Sequence, residues 1–270
     1  MRAQRSARVA VLIAAVLGSG SAWADWQLNM PQGVTPTSHD VYALHMMTLG
    51  ICAVIAVGVY GAMIYAIVKF RKSKGAVPAK FSHSTRAEIL WTAIPAAILV
   101  AMAVPSAKTL VNIEDTRNSG LTIKVTGYQW RWNYDYIDEG VSFYSSLDRA
   151  SNAASALHSG EDPYSVDHYL RDVDHPMVVP VDTKVRLLVT AADVLHSWWV
   201  PDFAVKKDAI PGFINEAWFQ ATKEGTYRGQ CAELCGVGHG FMPIVVEVVS
   251  QEAFAAWLAK QQSPGDTVVD

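Results

Sequence analysis

Hydrophobic positions are concentrated in three blocks near the N-terminus, and beyond them they alternate with polar positions. The second block, 49–68, has twenty residues without a charge, and the third, 89–107, has nineteen. A helix needs about 20 apolar residues to cross a bilayer. These two blocks therefore predict a transmembrane hairpin with spans at about 44–68 and 89–108, within an N-terminal segment 25–114.

The first block has the form of a secretory signal. A short apolar run follows Arg2, Arg5 and Arg8 and ends in the sequence Ala22-Trp23-Ala24. The alternative, a membrane anchor, is disfavoured because the run is too short to cross a bilayer. The sequence therefore predicts a signal peptide, 1–24, that is cleaved after Ala24.

The segment between the two spans fixes the predicted orientation. Residues 69–86 carry six basic residues and no acidic one, and such loops stay in the cytoplasm. Everything after the second span then lies outside, as does the mature N-terminus. We expect a two-span protein of the bacterial inner membrane, with its larger domain in the periplasm.

Residues 115–262 show mostly a period of two, which is typical of strands. The clearest runs are LTIKVTGYQWRWNYDY, KVRLLVTA, GTYRGQC and MPIVVEVVS. Short strands divided by Gly, Pro and Asp predict an antiparallel β-sandwich. Residues 145–176 are expected to form a polar surface insertion. A helix with Ser250 as its N-cap is expected to close the domain before a tail, 263–270.

The predicted domain is acidic, with 19 acidic and 12 basic residues. This composition argues against nucleic-acid binding. An acidic surface suits a basic protein partner, because long-range fields raise the rate of encounter. Simple solubility explains the net charge equally well.

Residues 231–242, CAELCGVGHGFM, place two cysteines, a histidine and a methionine close together. A disulfide is one alternative in an exported domain, but it leaves His239 and Met242 unexplained. A structural zinc site is another, although methionine is a poor zinc ligand. Thiolate, imidazole and thioether together select copper. One copper ion would leave a thiolate spare, whereas two ions bridged by Cys231 and Cys235 use every ligand.

A second histidine is needed, and His196 is the best candidate. It is flanked by Leu195 and two tryptophans, and is predicted at the end of a strand. The alternative is that His196 is a core residue whose hydrogen bonds are satisfied within the protein. The remaining cysteine, Cys52, lies in the first span, where it is expected to be a small apolar filler. Within residues 115–262, the other histidines before the motif lie in the polar insertion: His158, His168 and His175.

Together with DVLHSWWVP, YQWRWNYDY and the hairpin, this motif resembles subunit II of the haem–copper cytochrome c oxidases over about residues 40–260. The resemblance implies a cupredoxin-like Greek-key barrel or sandwich that holds a dinuclear, mixed-valence copper A centre. Cys231 and Cys235 would bridge the two ions, and His196 and His239 would each bind one. Two weak ligands complete the implied set, Met242 and the backbone carbonyl of Glu233. The Glu233 side chain would bind a magnesium ion shared with subunit I; pointing into solvent is the alternative.

The resemblance also assigns Trp130 as the residue through which electrons arrive from cytochrome c. Alternation alone puts Trp130 on one core-facing side of a strand with Trp132, Tyr134 and Tyr136. The two interpretations differ only for Trp130, and we expect it at the surface above the copper site.

Acidic residues receive two implied roles. Asp135, Asp193 and, with weaker support, Asp202 would dock the lysines of cytochrome c, although each could simply be a solvated charge. Glu88, at the cytoplasmic start of the second span, would lie at the mouth of a proton path into subunit I. A helix-start residue favoured by the dipole is the alternative for Glu88.

The expected function is therefore the electron-accepting subunit of an aerobic cytochrome c oxidase. Its partners would be subunit I and further oxidase subunits, with haem only in subunit I, where oxygen is reduced to water with proton translocation. The chain has no C-x-x-C-H haem motif, so the donor should be a separate cytochrome c. The alternatives are a membrane-anchored copper storage or delivery protein, a nitrous oxide reductase, which needs a second large domain, and a disulfide-stapled domain.

Overall fold

The structure is a computed structural model that describes residues 29–263. The predicted signal peptide and nearly all of the predicted tail lie outside the described residues. Two long helices come first, α1 (Pro36–Lys69) and α2 (Thr85–Ile113). Both are long and apolar enough to cross a membrane.

Both helices extend beyond the apolar blocks, because other signals set their ends. At the start of α1, the Ser38 amide donates to Thr35 Oγ1 at 2.9 Å, and the Thr35 amide donates to Ser38 Oγ at 3.0 Å. This reciprocal capping box satisfies two amides that the helix leaves free. Pro36 follows at the first helical position, where its missing N–H costs nothing.

The start of α1 is also attached to the β domain. The Val34 amide donates to the Asp202 carbonyl at 2.9 Å, and Thr35 Oγ1 donates to the Phe203 carbonyl at 3.0 Å. In return, the Thr222 amide donates to the Val34 carbonyl at 2.9 Å. We call residues 33–35 the strap. Although the strap precedes the membrane hairpin in sequence, its hydrogen bonds belong to the β domain.

The β domain is a sandwich of two five-stranded sheets within residues 121–249. The first sheet has the order β3-β2-β1-β5-β8, and the second has the order β4-β10-β9-β6-β7. The strands are β1 (Leu121–Tyr128), β2 (Arg131–Tyr136), β3 (Val141–Ser145), β4 (Met177–Pro180), β5 (Val185–Ala191), β6 (His196–Val200), β7 (Val205–Ala209), β8 (Asn215–Phe219), β9 (Gly225–Cys231) and β10 (Pro243–Val249).

The alternating positions build the core between the sheets. Ile123 and Val125 of β1 and Leu187 and Val189 of β5 are fully buried, while the residues between them are partly exposed. Burying each such side chain contributes about 1.5–3 kcal/mol. The predicted β-sandwich is thus confirmed, and its interior is the apolar face that the sequence pattern indicated.

The expectation of purely antiparallel sheets was wrong. Strands β1 and β5 pair in parallel, as do β4 and β10. Both pairs join strands distant in sequence, so no tight hairpin turn forces them to run in opposite directions. The other pairs, including β1–β2 and β9–β10, are antiparallel.

The run 121–136 is not one strand. A turn at Gln129–Trp130 divides it into the hairpin of β1 and β2, in which Tyr128 pairs with Arg131. The core-facing prediction is confirmed for three residues of β2, Trp132, Tyr134 and Tyr136, which are fully buried. It does not hold for Trp130, because the turn breaks the alternation there.

The predicted insertion and the closing helix are both present. The insertion contains a short helix, α3 (Arg149–Ser155), which the polar composition did not predict and which the Asp148 carboxylate caps. The closing helix is α4 (Gln251–Gln261), where Ser250 Oγ accepts from the Ala253 amide at 3.1 Å, as its N-cap assignment requires.

Candidate metal centre

The five side chains singled out as ligands meet at one end of the sandwich. Cys231 ends β9, and the loop that follows it carries the other three ligands of the motif before β10 begins. His196 comes from the neighbouring β6, which pairs antiparallel with β9 through Trp198 and Cys231. His196 thus begins a strand, whereas the sequence predicted it at the end of one. We call residues 231–242 the ligand loop.

The donor atoms form two connected groups. Cys231 Sγ lies 3.9 Å from His196 Nδ1 and 3.3 Å from the Glu233 carbonyl oxygen. Cys235 Sγ lies 3.6 Å from His239 Nδ1 and 3.5 Å from Met242 Sδ. The two sulfur atoms are 3.9 Å apart and both thiols are free. Each sulfur therefore has its own imidazole and its own weaker donor.

This geometry fits soft metal ions. Two donors about 2.2 Å from one ion, at a near-tetrahedral angle, lie about 3.6 Å apart. The donor separations fall around that value, so binding needs little rearrangement. Cys231, Cys235, Met242 and His196 are nearly or fully buried, which favours a permanently held ion over an exchangeable one. The residues present fit a copper centre in their donor types and in their spacing.

The two thiols differ in acidity. Burial would raise the pKa of Cys231, but hydrogen bonds from His196 and from the Ser197 and Glu233 backbone lower it to about 7. Burial, together with the neighbouring Cys231 charge, raises the pKa of Cys235 to about 12. Cys231 is thus the first thiolate available to a metal, and a bound cation is what removes the second proton.

His196 is held from both of its nitrogens. Nδ1 faces Cys231, and Nε2 lies 2.9 Å from Asp193 Oδ1. Burial lowers the pKa of His196, but the contacts with Cys231 and Asp193 outweigh it and raise the pKa. For Asp193, burial raises the carboxyl pKa, and hydrogen bonds from His196, Val194 and Gln129 lower it overall.

Trp130 lies over the ligand loop. It is half-buried in the β1–β2 turn, and its Nε1 donates to the Cys235 carbonyl at 3.1 Å. The Gln129 side chain donates to the same oxygen at 2.8 Å. Close approach of the indole requires glycine beneath it, because a Cβ on Gly238 would come within 2.3 Å of Trp130 Cδ2. The indole is therefore one hydrogen bond from a residue that carries a metal ligand.

The acidic candidates lie in different places. Asp193 adjoins His196, whereas Asp135 lies on the outward-facing side of β2. Asp202 follows the far end of β6 from His196, beside the strap. Glu233 has an exposed side chain in the ligand loop, and Glu88 is exposed in the first turn of α2. Of these five, only Asp193 and Glu233 directly contact the cluster.

Three residues that support the site were missed by the sequence analysis. The first is Gln129, whose side chain donates to the Cys235 carbonyl. Trp132 packs edge-on to His196, with ring centroids 5.9 Å apart. Gly127 lies beside the same imidazole, where a Cβ would come within 2.8 Å of His196 Cδ2. A glycine inside a strand pattern marks close approach by another group, so Gly127 carried a usable signal.

Comparison with known proteins identifies the family of this chain. The family model for the periplasmic domain of cytochrome c oxidase subunit II matches residues 121–249, and the model for its transmembrane domain matches residues 23–109. Cytochrome c oxidase subunit 2 of Cereibacter sphaeroides is 42% identical over 241 residues, which cover 86% of this chain and 79% of the relative. The Arabidopsis thaliana protein of the same name is 38% identical over 241 residues, covering 88% and 91%.

A solved structure is also similar. The periplasmic domain of subunit II of the cytochrome oxidase of Bradyrhizobium japonicum is 42% identical, with a TM-score of 0.47. The match covers 54% of this chain and 96% of that domain. The two family models and the full-length relatives show that this chain belongs to the cytochrome c oxidase subunit II family, whose members are components of the haem–copper terminal oxidases.

Proposed function

We propose that this chain accepts electrons from cytochrome c at a dinuclear copper centre and passes them to the haem centres of subunit I. There oxygen is reduced to water with proton translocation. The observation that carries the proposal is the paired arrangement of donors, in which each of two adjacent sulfur atoms has its own histidine.

The chemistry that the copper pair supplies is one-electron transfer with little change of geometry. In the proposal Cys231 and Cys235 bridge the ions, and His196 and His239 each bind one. Met242 and the Glu233 carbonyl supply the weak contacts. Strand ends hold Cys231 and His196, and the ligand loop holds the other donors. Burial of the site excludes water, which keeps the reorganisation on electron transfer small.

Trp130 is the proposed point at which electrons arrive. Trp130 is half-buried, and its Nε1 donates to the Cys235 carbonyl. This position gives a short bonded route from a donor protein to a bridging sulfur. The rival function, copper storage or delivery, would need exposed and exchangeable ligands, and the burial of four donors disfavours it.

The wider assembly follows from the same proposal. After cleavage of the signal peptide, the hairpin would lie in the bacterial inner membrane with the β domain in the periplasm. The exposed Glu233 carboxylate would bind the magnesium ion shared with subunit I, and Glu88 would open the proton path. Asp135, Asp193 and Asp202 are the candidates for docking cytochrome c.

Electron paramagnetic resonance on the purified full-length chain tests the copper assignment. With copper added to the chain in detergent, one electron shared by two equivalent copper nuclei gives seven hyperfine lines. Cys231→Ser should abolish this pattern. Cys52→Ser is the matched control, because Cys52 is an exposed thiol of α1. Four lines in the unchanged protein would show a single copper ion and overturn the dinuclear proposal.

A further inference from the structure

Hydrogen bonds of Asp193 connect two parts of the site. A role in docking cytochrome c does not explain these contacts. One carboxylate oxygen, Oδ1, lies 2.9 Å from His196 Nε2 and also accepts from the Val194 amide at 2.6 Å. The other oxygen, Oδ2, accepts from the Gln129 amide at 2.7 Å. Both oxygens are thus committed to groups of this chain.

We propose that Asp193 is a positioning residue of the metal centre. Its carboxylate fixes the His196 ring with Nδ1 toward Cys231, and it ties that ring to the turn that carries Trp130. The residue at which electrons arrive and the ligand set are then held as one unit. This inference rests on the proposed function, because it concerns how a bound copper ion is held and reached.

The imidazole can bind a metal in only one way here. Nδ1 faces Cys231 and Nε2 faces Asp193, so a neutral His196 carries its proton on Nε2 and presents the free Nδ1 to the metal. Donation of Nε2–H to a carboxylate makes a histidine a stronger ligand and sets the orientation of its ring. His196 is fully buried, so water does not replace this bond.

The second oxygen extends the connection to the turn. Asp193 Oδ2 accepts from the Gln129 backbone amide. The Gln129 side chain and the Trp130 indole both donate to the Cys235 carbonyl. A continuous path of hydrogen bonds therefore runs from one proposed metal ligand, His196, through Asp193 and the turn, to another, Cys235. A displaced Asp193 would disturb the ligand and the turn together.

Asp135 provides the contrast. It is another docking candidate, on the outward-facing side of β2, and within residues 29–263 its carboxylate has no hydrogen-bond partner, so it is free to pair with a lysine. The Asp193 side chain is only 31% exposed and its oxygens are occupied. A docking role predicts similar behaviour for the two acids, whereas a positioning role predicts different behaviour.

The test compares Asp193→Glu and Asp193→Asn with Asp135→Glu and Asp135→Asn in the full-length chain. Pulsed electron paramagnetic resonance measures the coupling of the remote nitrogen, Nε2, of copper-bound histidine. Both Asp193 variants should change this coupling and weaken copper binding by about 10–100-fold. Asp193→Asn should also raise the reduction potential, because loss of a nearby negative charge favours the reduced site. Neither Asp135 variant should change the nitrogen coupling.

Asp193→Glu is the decisive variant, because it keeps the charge and displaces the carboxylate by one methylene. In the assembled oxidase it should lower kcat at saturating cytochrome c, since the Trp130 turn is displaced, and leave the salt dependence of KM unchanged. Unchanged nitrogen coupling and unchanged kcat in Asp193→Glu would reduce Asp193 to a docking charge. A single-copper spectrum in the unchanged chain would instead refute the proposed function, and the His196 coupling would still test Asp193.

Discussion

Gly127→Ala should disturb the metal centre without adding or removing a polar group. A Cβ at this position would lie 2.8 Å from His196 Cδ2, 2.9 Å from Cγ and 3.1 Å from Cβ. Ordinary contacts of a Cβ begin at 3.4 Å, so one side must move by about 0.6 Å. The backbone of Gly127 is held on both sides, since it pairs with Trp132 of β2 and Ala191 of β5.

The imidazole must therefore take up the displacement. Metal–ligand distances tolerate about 0.2 Å, so His196 cannot shift by three times that amount and keep its bond. Overpacking of this kind costs about 1–3 kcal/mol. In the copper-free chain the ring can relax, so most of this cost should appear as weaker copper binding, about 10–100-fold.

Gly240→Ala is the matched control. It introduces the same methyl group within the ligand loop, next to His239, where an added Cβ meets no atom within 4 Å. The assay is copper titration of both variants with the hyperfine pattern recorded at saturation, alongside circular dichroism to follow the fold. Wild-type copper affinity and an unchanged spectrum in Gly127→Ala would refute the steric argument.

Three further changes test other parts of the structure. Burial raises the pKa of Asp202, so its ionised form opposes folding. At pH values above the pKa of Asp202 in the folded protein, Asp202→Asn should raise the unfolding midpoint in detergent. At pH values below the ordinary pKa of Asp, it should have little effect. Equal midpoints for variant and wild type in both pH ranges would contradict this. Gly238→Ala should displace Trp130 and slow electron transfer at saturating cytochrome c, seen by stopped flow, while a wild-type rate would place the electron route elsewhere. Thr35→Val keeps the shape and removes the capping and Phe203 hydrogen bonds, so it should cost about 1–2 kcal/mol; an unchanged unfolding midpoint would show that the strap adds no stability.

The cluster of candidate ligands could be predicted from sequence because most of its members are close together along the chain. Cys231, Cys235, His239 and Met242 fall within twelve positions, and only His196 had to be found at a distance. The sandwich was equally accessible, since β5 and the first part of β1 alternate clearly. Period two does not distinguish parallel from antiparallel neighbours, which is why the β1–β5 and β4–β10 pairs were missed.

Other features depended on contacts between distant residues. The bond between Asp193 and the Gln129 amide joins positions 64 residues apart, and a single acid in a loop carries no sign of such a partner. The strands β7 and β8 contain charged and partly exposed residues, so no alternation announced them. Trp130 continues the alternation of aromatic and polar positions, so the pattern alone groups it with the core residues of β2. Only the hairpin turn at Gln129–Trp130 gives it a different position.

The strap has a consequence for how the protein reaches its final topology. It precedes the hairpin, so it is synthesised and presented to the membrane long before β6 and Thr222 exist. Its hydrogen bonds to that later part can form only if the start of α1 and the β domain have reached the same side of the bilayer. Completion of the β domain with its strap thus requires both helices to cross the bilayer, and a chain in which only one of them had crossed would leave the strap on the opposite side from its partners.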